Sequence, residues 1–201
     1  AGSCFKIGGK CITHSGYGQA DWRFYDDVSV HQNQVRVCRK KFALLSEMLP
    51  GRVDLGLGRA PGSDQLTAAV LRQGLPGDGV QNYVRDVTLL RELLGGGETP
   101  VGDRVHVEIA GNPFDLSATP ALSASPDIWL LGSSAYSAQA AGQLGLPYVF
   151  ANHFGMPGID ATLRSYRESY VPSARFPEPK TLVPVNVVVA ENAEEASNLF
   201  D

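Results

Sequence analysis

A cluster of hydroxyl residues follows a stretch that we predict to be a buried strand, DIWLLG. The cluster consists of Ser133, Ser134 and Ser137, with Tyr136 among them, and it directly follows Gly132 where a helix is predicted to begin. Free backbone N–H groups at a helix start attract anions, and hydroxyls can complete the anion's shell. Ordinary capping is the alternative, but it needs one serine rather than three and a tyrosine. The pattern therefore favours an anion site formed by Gly132, the three serines and Tyr136.

A second candidate is the glycine-rich stretch GRVDLGLGRAPGSDQ (51–65). A dinucleotide fingerprint requires G-x-G-x-x-G opening directly into a helix, whereas here a Pro-Gly turn comes first, and no Gly-Lys-Ser/Thr of a P-loop follows. What remains is a strand end with small residues and Arg59, whose guanidinium can bind a phosphate through two hydrogen bonds. Alternatively, Arg59 pairs with a carboxylate such as Asp54 or Asp64.

His153, in VFANHFGMPG, is the third candidate. It directly follows a predicted strand, where barrels and doubly wound sheets place their active sites. It could donate to a ligand carbonyl or act as an acid or base, or it could simply be satisfied by a loop carbonyl. No metal-binding pattern is present, because the three cysteines match no zinc spacing.

Strands and helices that could position these residues alternate along the chain. The predicted strands are 52–58, 104–109, 127–132, 147–151 and 181–190, the last interrupted by Pro184. The predicted helices are 40–49, 63–73, 80–94, 135–145, 158–170 and 192–200, the last with Asn192 as its N-cap. The segment 110–125 is interpreted as a connection. Such alternation predicts an α/β fold with parallel strands. A doubly wound sheet and an incomplete (β/α)8 barrel both fit the pattern.

Composition narrows the function classes further. The 201 residues suffice for one sizeable core, and the net charge of −4 does not favour nucleic acid or an anionic membrane as partner. No apolar run approaches the roughly 20 residues of a membrane helix. The odd number of cysteines argues against a disulfide framework, so a reducing cytoplasm is the expected location.

Three segments together resemble one known family. PGRVDLGLGRAPGSDQLTAAVLR, IWLLGSSAYSAQAAGQLGLPYVFANHF and VPVNVVVAENAEEA are similar to the luciferase-like monooxygenases, in this order and over about Lys40 to Asp201. The resemblance implies part of a (β/α)8 TIM barrel of the bacterial-luciferase type. It thereby favours the barrel over the doubly wound sheet.

The resemblance also implies a cofactor and a reaction. Members use reduced FMN, or in some relatives the deazaflavin F420, to activate O2 and oxidise a small organic substrate. By position in the motifs, Arg59, Ser134 and Ser137 would bind the flavin phosphate and Gly58 would lie near the flavin ring. His153 is assigned to the substrate from its position after a predicted strand, while no catalytic side chain can be named. A flavin reductase is the implied supplier of reduced flavin, and a homodimer is left open.

Residues 1–38 do not resemble the family, so the chain is divided into this segment and a barrel portion, 39–201. With permitted synonymous codons, Gly9 to Asp27 read one base later would encode an apolar helix and a strand similar to the family's usual third unit. We therefore hypothesise a frameshift upstream of Lys40, and expect residues 1–38 to be disordered or poorly packed. Sequencing the coding DNA tests this, because the hypothesis requires a family-like reading in the shifted frame.

Two other functions are compatible with the residues. The first is a flavin-binding protein without turnover, because no catalytic side chain stands out. The second is a barrel isomerase or aldolase that binds a sugar phosphate at the same place. An isomerase or aldolase would require a lysine or paired carboxylates at strand ends, and we find none in the sequence.

Overall fold

A computed structural model describes residues 11–14, 21–25, 32–58, 83–95, 104–109, 112–117, 119–152, 157–185 and 188–200. The described strands are β1 (Cys11–His14), β2 (Asp21–Tyr25), β3 (Asp54–Gly58), β4 (Arg104–Ile109), β5 (Asn112–Ser117), β6 (Asp127–Gly132), β7 (Tyr148–Phe150) and β8 (Thr181–Leu182). The described helices are α1 (Gln32–Met48), α2 (Tyr83–Leu93), α3 (Ala135–Gln143), α4 (Ile159–Glu168) and α5 (Ala193–Phe200).

The main sheet has six strands in the order β1-β2-β3-β6-β7-β8. Strands β2, β3, β6, β7 and β8 run parallel, and β1 is antiparallel to β2. Helices connect the parallel neighbours, as the crossover between parallel strands requires. The predicted α/β fold with parallel strands is confirmed.

Each face of the sheet carries its own apolar cluster. Leu55, Leu57 and Leu130 face the helices and are fully buried in the main core. On the other face, Trp129 and Val149 form a second, smaller cluster. Burial on both faces explains the nearly continuous apolar sequence of β6, which differs from the alternation expected of a half-exposed strand.

The helix before β3 is longer than predicted. It begins at Gln32 rather than at Lys40, and Cys38 is buried in the main core at 2% exposure. The helix therefore crosses the predicted boundary between residues 38 and 39. The expectation that residues 1–38 pack poorly remains a prediction, since most of their side chains lie outside the described part of the chain.

Two predicted segments differ from the structure, and one lies outside it. The interpretation of 110–125 as a connection was wrong for residues 112–117, which form β5 and pair antiparallel with β4 in a separate two-stranded sheet. Among the described residues of the predicted strand 181–190, which exclude 186 and 187, only Thr181–Leu182 are in a strand, because Pro184 has no N–H to donate to a neighbouring strand. The predicted helix 63–73 lies outside the described residues.

The other predicted elements are confirmed to within a few residues at each end. The Asn192 side chain caps α5 as predicted, since its Oδ1 accepts a hydrogen bond from the Glu195 N–H at 2.9 Å. Among the described helices, none combines the length and apolar character needed to cross a bilayer.

Candidate functional site

Strands β3 and β6, which end at the first two candidate segments, are hydrogen-bonded neighbours. They run parallel over the whole of β3, and Gly58 at the end of β3 is the register partner of Leu131, one residue before the end of β6. Parallel strands bring their carboxyl ends to the same edge of a sheet. The glycine-rich stretch and the hydroxyl cluster therefore leave the sheet at adjacent points.

Ser134 is the N-cap of α3. Its backbone is extended (φ −108°, ψ 153°), and its Oγ accepts a hydrogen bond from the Ser137 N–H at 3.3 Å. This is the capping role that the sequence left as an alternative to anion binding. The side chain is only partly buried, so capping leaves it accessible from outside.

Ser137 is turned inward, beneath the first turn of α3. The residue is 2% exposed, and its Oγ donates to the Ser134 carbonyl oxygen at 2.8 Å. The same Oγ lies 3.2 Å from Ser134 Oγ and 3.3 Å from the hydroxyl of Tyr148. In this arrangement the Ser137 hydroxyl bonds to the protein itself, and its predicted contact with a cofactor remains a prediction.

Gly132 is required by the close approach of α3 to β6. A Cβ atom built on Gly132 would lie 2.3 Å from Ser137 Oγ and 2.7 Å from Ser137 Cβ. Both distances are shorter than van der Waals contact, so any side chain here would displace Ser137 from its position. Gly132 thus lets the helix start directly over the strand end.

The Gly132 carbonyl oxygen accepts two hydrogen bonds. One comes from the Tyr148 hydroxyl at 2.6 Å, and the other from the Ala151 N–H at 3.0 Å. Both donors belong to β7 or to the residue that directly follows it. The last peptide of β6 is therefore held from one side by the neighbouring strand.

Tyr148, which links β6, β7 and α3, was not among the site residues predicted from the sequence. Its side chain is fully buried, and burial raises the pKa of the Tyr148 hydroxyl, an effect that the hydrogen bond with Ser137 partly opposes. The phenol therefore stays protonated and remains a donor at neutral pH. The only signal in the sequence was a tyrosine inside an apolar strand, because a buried phenol usually requires a hydrogen-bond partner.

Tyr83 plays a comparable part at the end of β3. It is the first residue of α2, is 2% exposed, and donates its hydroxyl to the Leu57 carbonyl oxygen at 3.1 Å. Leu57 immediately precedes Gly58. A buried tyrosine thus contacts the backbone at the end of each of the two strands.

The remaining predicted residues are placed differently. Ser133 is partly buried in the turn, and Tyr136 is 38% exposed on the first turn of α3. Arg59 and His153 lie outside the described residues, so their roles remain predictions. Asp54, one of the alternative partners of Arg59, lies at the opposite end of β3, about 13 Å along the strand from Gly58.

The described residues contain no cluster of His, Cys, Asp or Glu that could hold a metal ion. What they offer is a polar corner at the carboxyl ends of β3 and β6, formed by the N-terminus of α3, the partly exposed capping hydroxyl of Ser134 and the partly exposed Gly132, whereas Gly58 is buried. A corner of this kind suits an anion that approaches from outside the sheet.

Comparison with known proteins defines the family. The chain belongs to the luciferase-like monooxygenase family, which it matches over residues 36–201. The resemblance inferred from the three motifs is confirmed, and with it an α/β fold that forms part of a (β/α)8 barrel.

Individual relatives agree with this assignment. The chain is 40% identical over 164 residues to a luciferase-like monooxygenase of Escherichia coli (strain K12), a match that covers 82% of this chain and 45% of that protein. Among solved structures it resembles apo-MsnO8, with 31% identity and a TM-score of 0.65 over 83% of this chain and 45% of that one.

A further structural neighbour is the oxygenating constituent of 3,6-diketocamphane monooxygenase from Pseudomonas putida, in complex with FMN. The TM-score is 0.57 over 86% of this chain and 49% of that one, and at 16% identity the likeness concerns the fold alone. The chain thus spans about half the length of the proteins it matches.

Proposed function

We propose that this chain is part of a flavin-dependent oxidoreductase that binds FMN with its phosphate at the carboxyl ends of β3 and β6. The proposal depends mainly on the pairing of Gly58 with Leu131. Because of this pairing, both predicted phosphate-binding segments begin at the same edge of the sheet. Family membership and the FMN bound by a structural neighbour support a flavin over other phosphorylated ligands.

The described residues fit a phosphate group. The N-terminus of α3 supplies backbone N–H groups and the positive end of a helix dipole. Ser134 adds a partly accessible hydroxyl, and Gly132, which is also partly exposed, places no side chain between a ligand and the backbone. Arg59 directly follows Gly58 and is proposed to neutralise the phosphate charge.

When bound, the reduced flavin supplies the chemistry, activating O2 and transferring an oxygen atom to a small organic substrate. The proposed contribution of this chain is to bind and orient the cofactor through its phosphate. His153 is proposed to donate a hydrogen bond to the substrate, so His153→Gln should lower turnover and leave FMN affinity unchanged. The same proposal includes FMN rather than F420 as the cofactor and a flavin reductase as the electron supplier. It also includes a cytoplasmic location.

Titration of the 201-residue chain with FMN and riboflavin, followed by flavin fluorescence, tests the phosphate site. Riboflavin lacks the phosphate, so the proposal requires FMN to bind at least about tenfold more tightly, since a charge-assisted hydrogen bond contributes roughly 1.5–3 kcal/mol. Arg59→Ala and Ser134→Ala should each lower affinity for FMN but not for riboflavin. Equal affinities for the two ligands in the unaltered chain would refute the site.

Two matched controls are available. Ser173 Oγ accepts the Phe176 N–H at 3.1 Å, the same i to i+3 hydrogen bond that Ser134 makes with Ser137, but no helix follows it. Its hydroxyl also donates to the carbonyl oxygen of Gly145, which precedes β7. Arg175 contacts Asp127 at the amino end of β6. Ser173→Ala and Arg175→Ala should therefore leave both affinities unchanged. Parallel titration with F420 decides between the two cofactors.

A further inference from the structure

We infer that Tyr148 and Tyr83 are positioning residues for the proposed phosphate site, an inference that rests on the proposed function. Each tyrosine is buried, each donates its hydroxyl proton to a backbone carbonyl, and the two carbonyls are those of Gly132 and Leu57 at the carboxyl ends of β6 and β3. Neither side chain is placed to touch a ligand, so both act through the backbone that they hold.

The hydroxyl protons around Tyr148 can be assigned from the distances. A hydroxyl has one proton to donate. The Tyr148 proton is directed to the Gly132 carbonyl at 2.6 Å, and the Ser137 proton to the Ser134 carbonyl at 2.8 Å. Both contacts lie near the usual O–H···O length of about 2.7–2.8 Å. The two inner hydroxyls are therefore already used within the protein.

Ser134 is the member of this group that retains a proton for a ligand. Among the described residues, the oxygen to which its hydroxyl could donate is Ser137 Oγ at 3.2 Å, a long contact for two hydroxyls. A ligand oxygen at ordinary distance would compete well with it. The geometry thus divides the cluster into one outward donor, Ser134, and an inner support made of Ser137 and Tyr148.

A third buried tyrosine provides the control. Tyr166 is fully buried like Tyr148, and the two rings lie 5.5 Å apart. Its hydroxyl contacts the carbonyl oxygens of Leu146 and Lys180 at 3.0 and 3.2 Å. These residues precede β7 and β8, at the amino ends of the strands. Tyr166→Phe therefore removes a comparable buried hydroxyl far from the proposed site.

The experiment compares Tyr148→Phe, Tyr83→Phe and Tyr166→Phe in the 201-residue chain, under conditions where all variants are folded. Hydrogen exchange of residues 133–138 without ligand measures the order of the turn directly. Tyr148→Phe should speed this exchange about fivefold, the effect expected from the loss of one ordinary hydrogen bond, and Tyr166→Phe should not change it.

Titration of the same variants with FMN and riboflavin measures the consequence for binding. Tyr148→Phe and Tyr83→Phe should each weaken FMN binding about fivefold and leave riboflavin binding within twofold, whereas Tyr166→Phe should keep the FMN-to-riboflavin ratio of the unaltered chain. Unchanged exchange in Tyr148→Phe, or an equal effect from Tyr166→Phe, overturns the positioning role. If hydrogen exchange of residues 133–138 changes as expected but the unaltered chain binds FMN and riboflavin equally, the proposed phosphate site is refuted. The role of the two tyrosines in positioning a ligand is then refuted as well.

Discussion

The hydroxyl of Tyr148 donates a hydrogen bond of 2.6 Å to the carbonyl oxygen of Gly132, joining the first residue of β7 to the last residue of β6. The bond lies beneath the first turn of α3, where Ser137 packs against Gly132. The end of β6, the start of α3 and the start of β7 therefore meet at the hydroxyls of Tyr148 and Ser137.

Gly132→Ala should destabilise the fold by about 1–3 kcal/mol, the usual cost of overpacking, because the new Cβ would lie 2.3 Å from Ser137 Oγ. Urea denaturation measures the loss. Ser137→Gly removes the Oγ and Cβ atoms with which the new Cβ would clash. The loss in free energy of unfolding should therefore be smaller in the double variant than the sum of the losses in the two single variants. Strict additivity of the two free-energy changes would contradict the proposed contact.

Substitution of Ser134 separates its capping role from ligand binding. Ser134→Ala should cost about 1 kcal/mol in the free energy of unfolding, because the Ser137 N–H loses its acceptor. Ser134→Asp should keep that stability, since aspartate is an equally good N-cap, but its negative charge should repel the FMN phosphate. Thermal denaturation and FMN titration of both variants are needed. An aspartate variant that binds FMN as well as the unaltered chain would show that Ser134 caps the helix without meeting the phosphate.

The buried tyrosines predict a loss of stability at alkaline pH. Burial raises the pKa values of both Tyr148 and Tyr166, the latter also through its neighbour Tyr170. In the unfolded chain these phenols ionise near pH 10, so above that pH the unfolded state binds fewer protons than the folded state. The free energy of unfolding should therefore be unaffected by these groups below about pH 10 and fall as the pH rises further.

Denaturant titrations between pH 8 and 11.5 follow this effect, which for each tyrosine reaches at most about 1.4 kcal/mol per pH unit. Tyr166→Phe should flatten the decline, while Tyr136→Phe is the matched control because Tyr136 is 38% exposed. A decline of equal slope in all three proteins would show that other groups cause it.

Arg39→Met should preserve or increase stability. Arg39 is 3% exposed, its Nε donates to the Leu93 carbonyl at 3.2 Å, and its two Nη atoms have no hydrogen-bond partner among the described residues. Burial lowers the pKa of Arg39, because removal from water disfavours the charged guanidinium. Methionine fills a similar volume without a buried charge, so a gain of about 1 kcal/mol is expected from urea denaturation. A loss of more than about 2 kcal/mol would instead indicate a strong partner for the guanidinium.

Much of the sheet was predictable because its signals are local. The apolar run of β6, the helix predicted over 80–94 and the Asn192 cap each depend on residues close together in the sequence, and the structure confirms all three. The polar corner was found for the same reason, since a hydroxyl cluster after a strand end is visible without any tertiary contact. Its inner arrangement was not predictable, because Tyr148 reaches Gly132 from a different strand.

The wrong predictions also have physical causes. The segment NPFDLS contains a proline and reads as a loop, yet Pro113 is accommodated in a two-stranded ribbon, where one side of each strand needs no partner. Val188 and Val189 read as a strand but belong to neither described sheet, because pairing ends at Leu182, before Pro184. Composition alone does not determine where pairing with a neighbour ends.

The double hydrogen bond on the Gly132 carbonyl also determines which way the next amide faces. A trans peptide is planar, with its C=O and N–H directed oppositely. The two donors draw the Gly132 oxygen toward β7, and the Ser133 amide hydrogen is therefore directed toward the β3 side, where Gly58 ends its strand. Ser133 then offers the corner a main-chain donor of fixed direction, so exchanging its side chain for alanine would leave that donor in place.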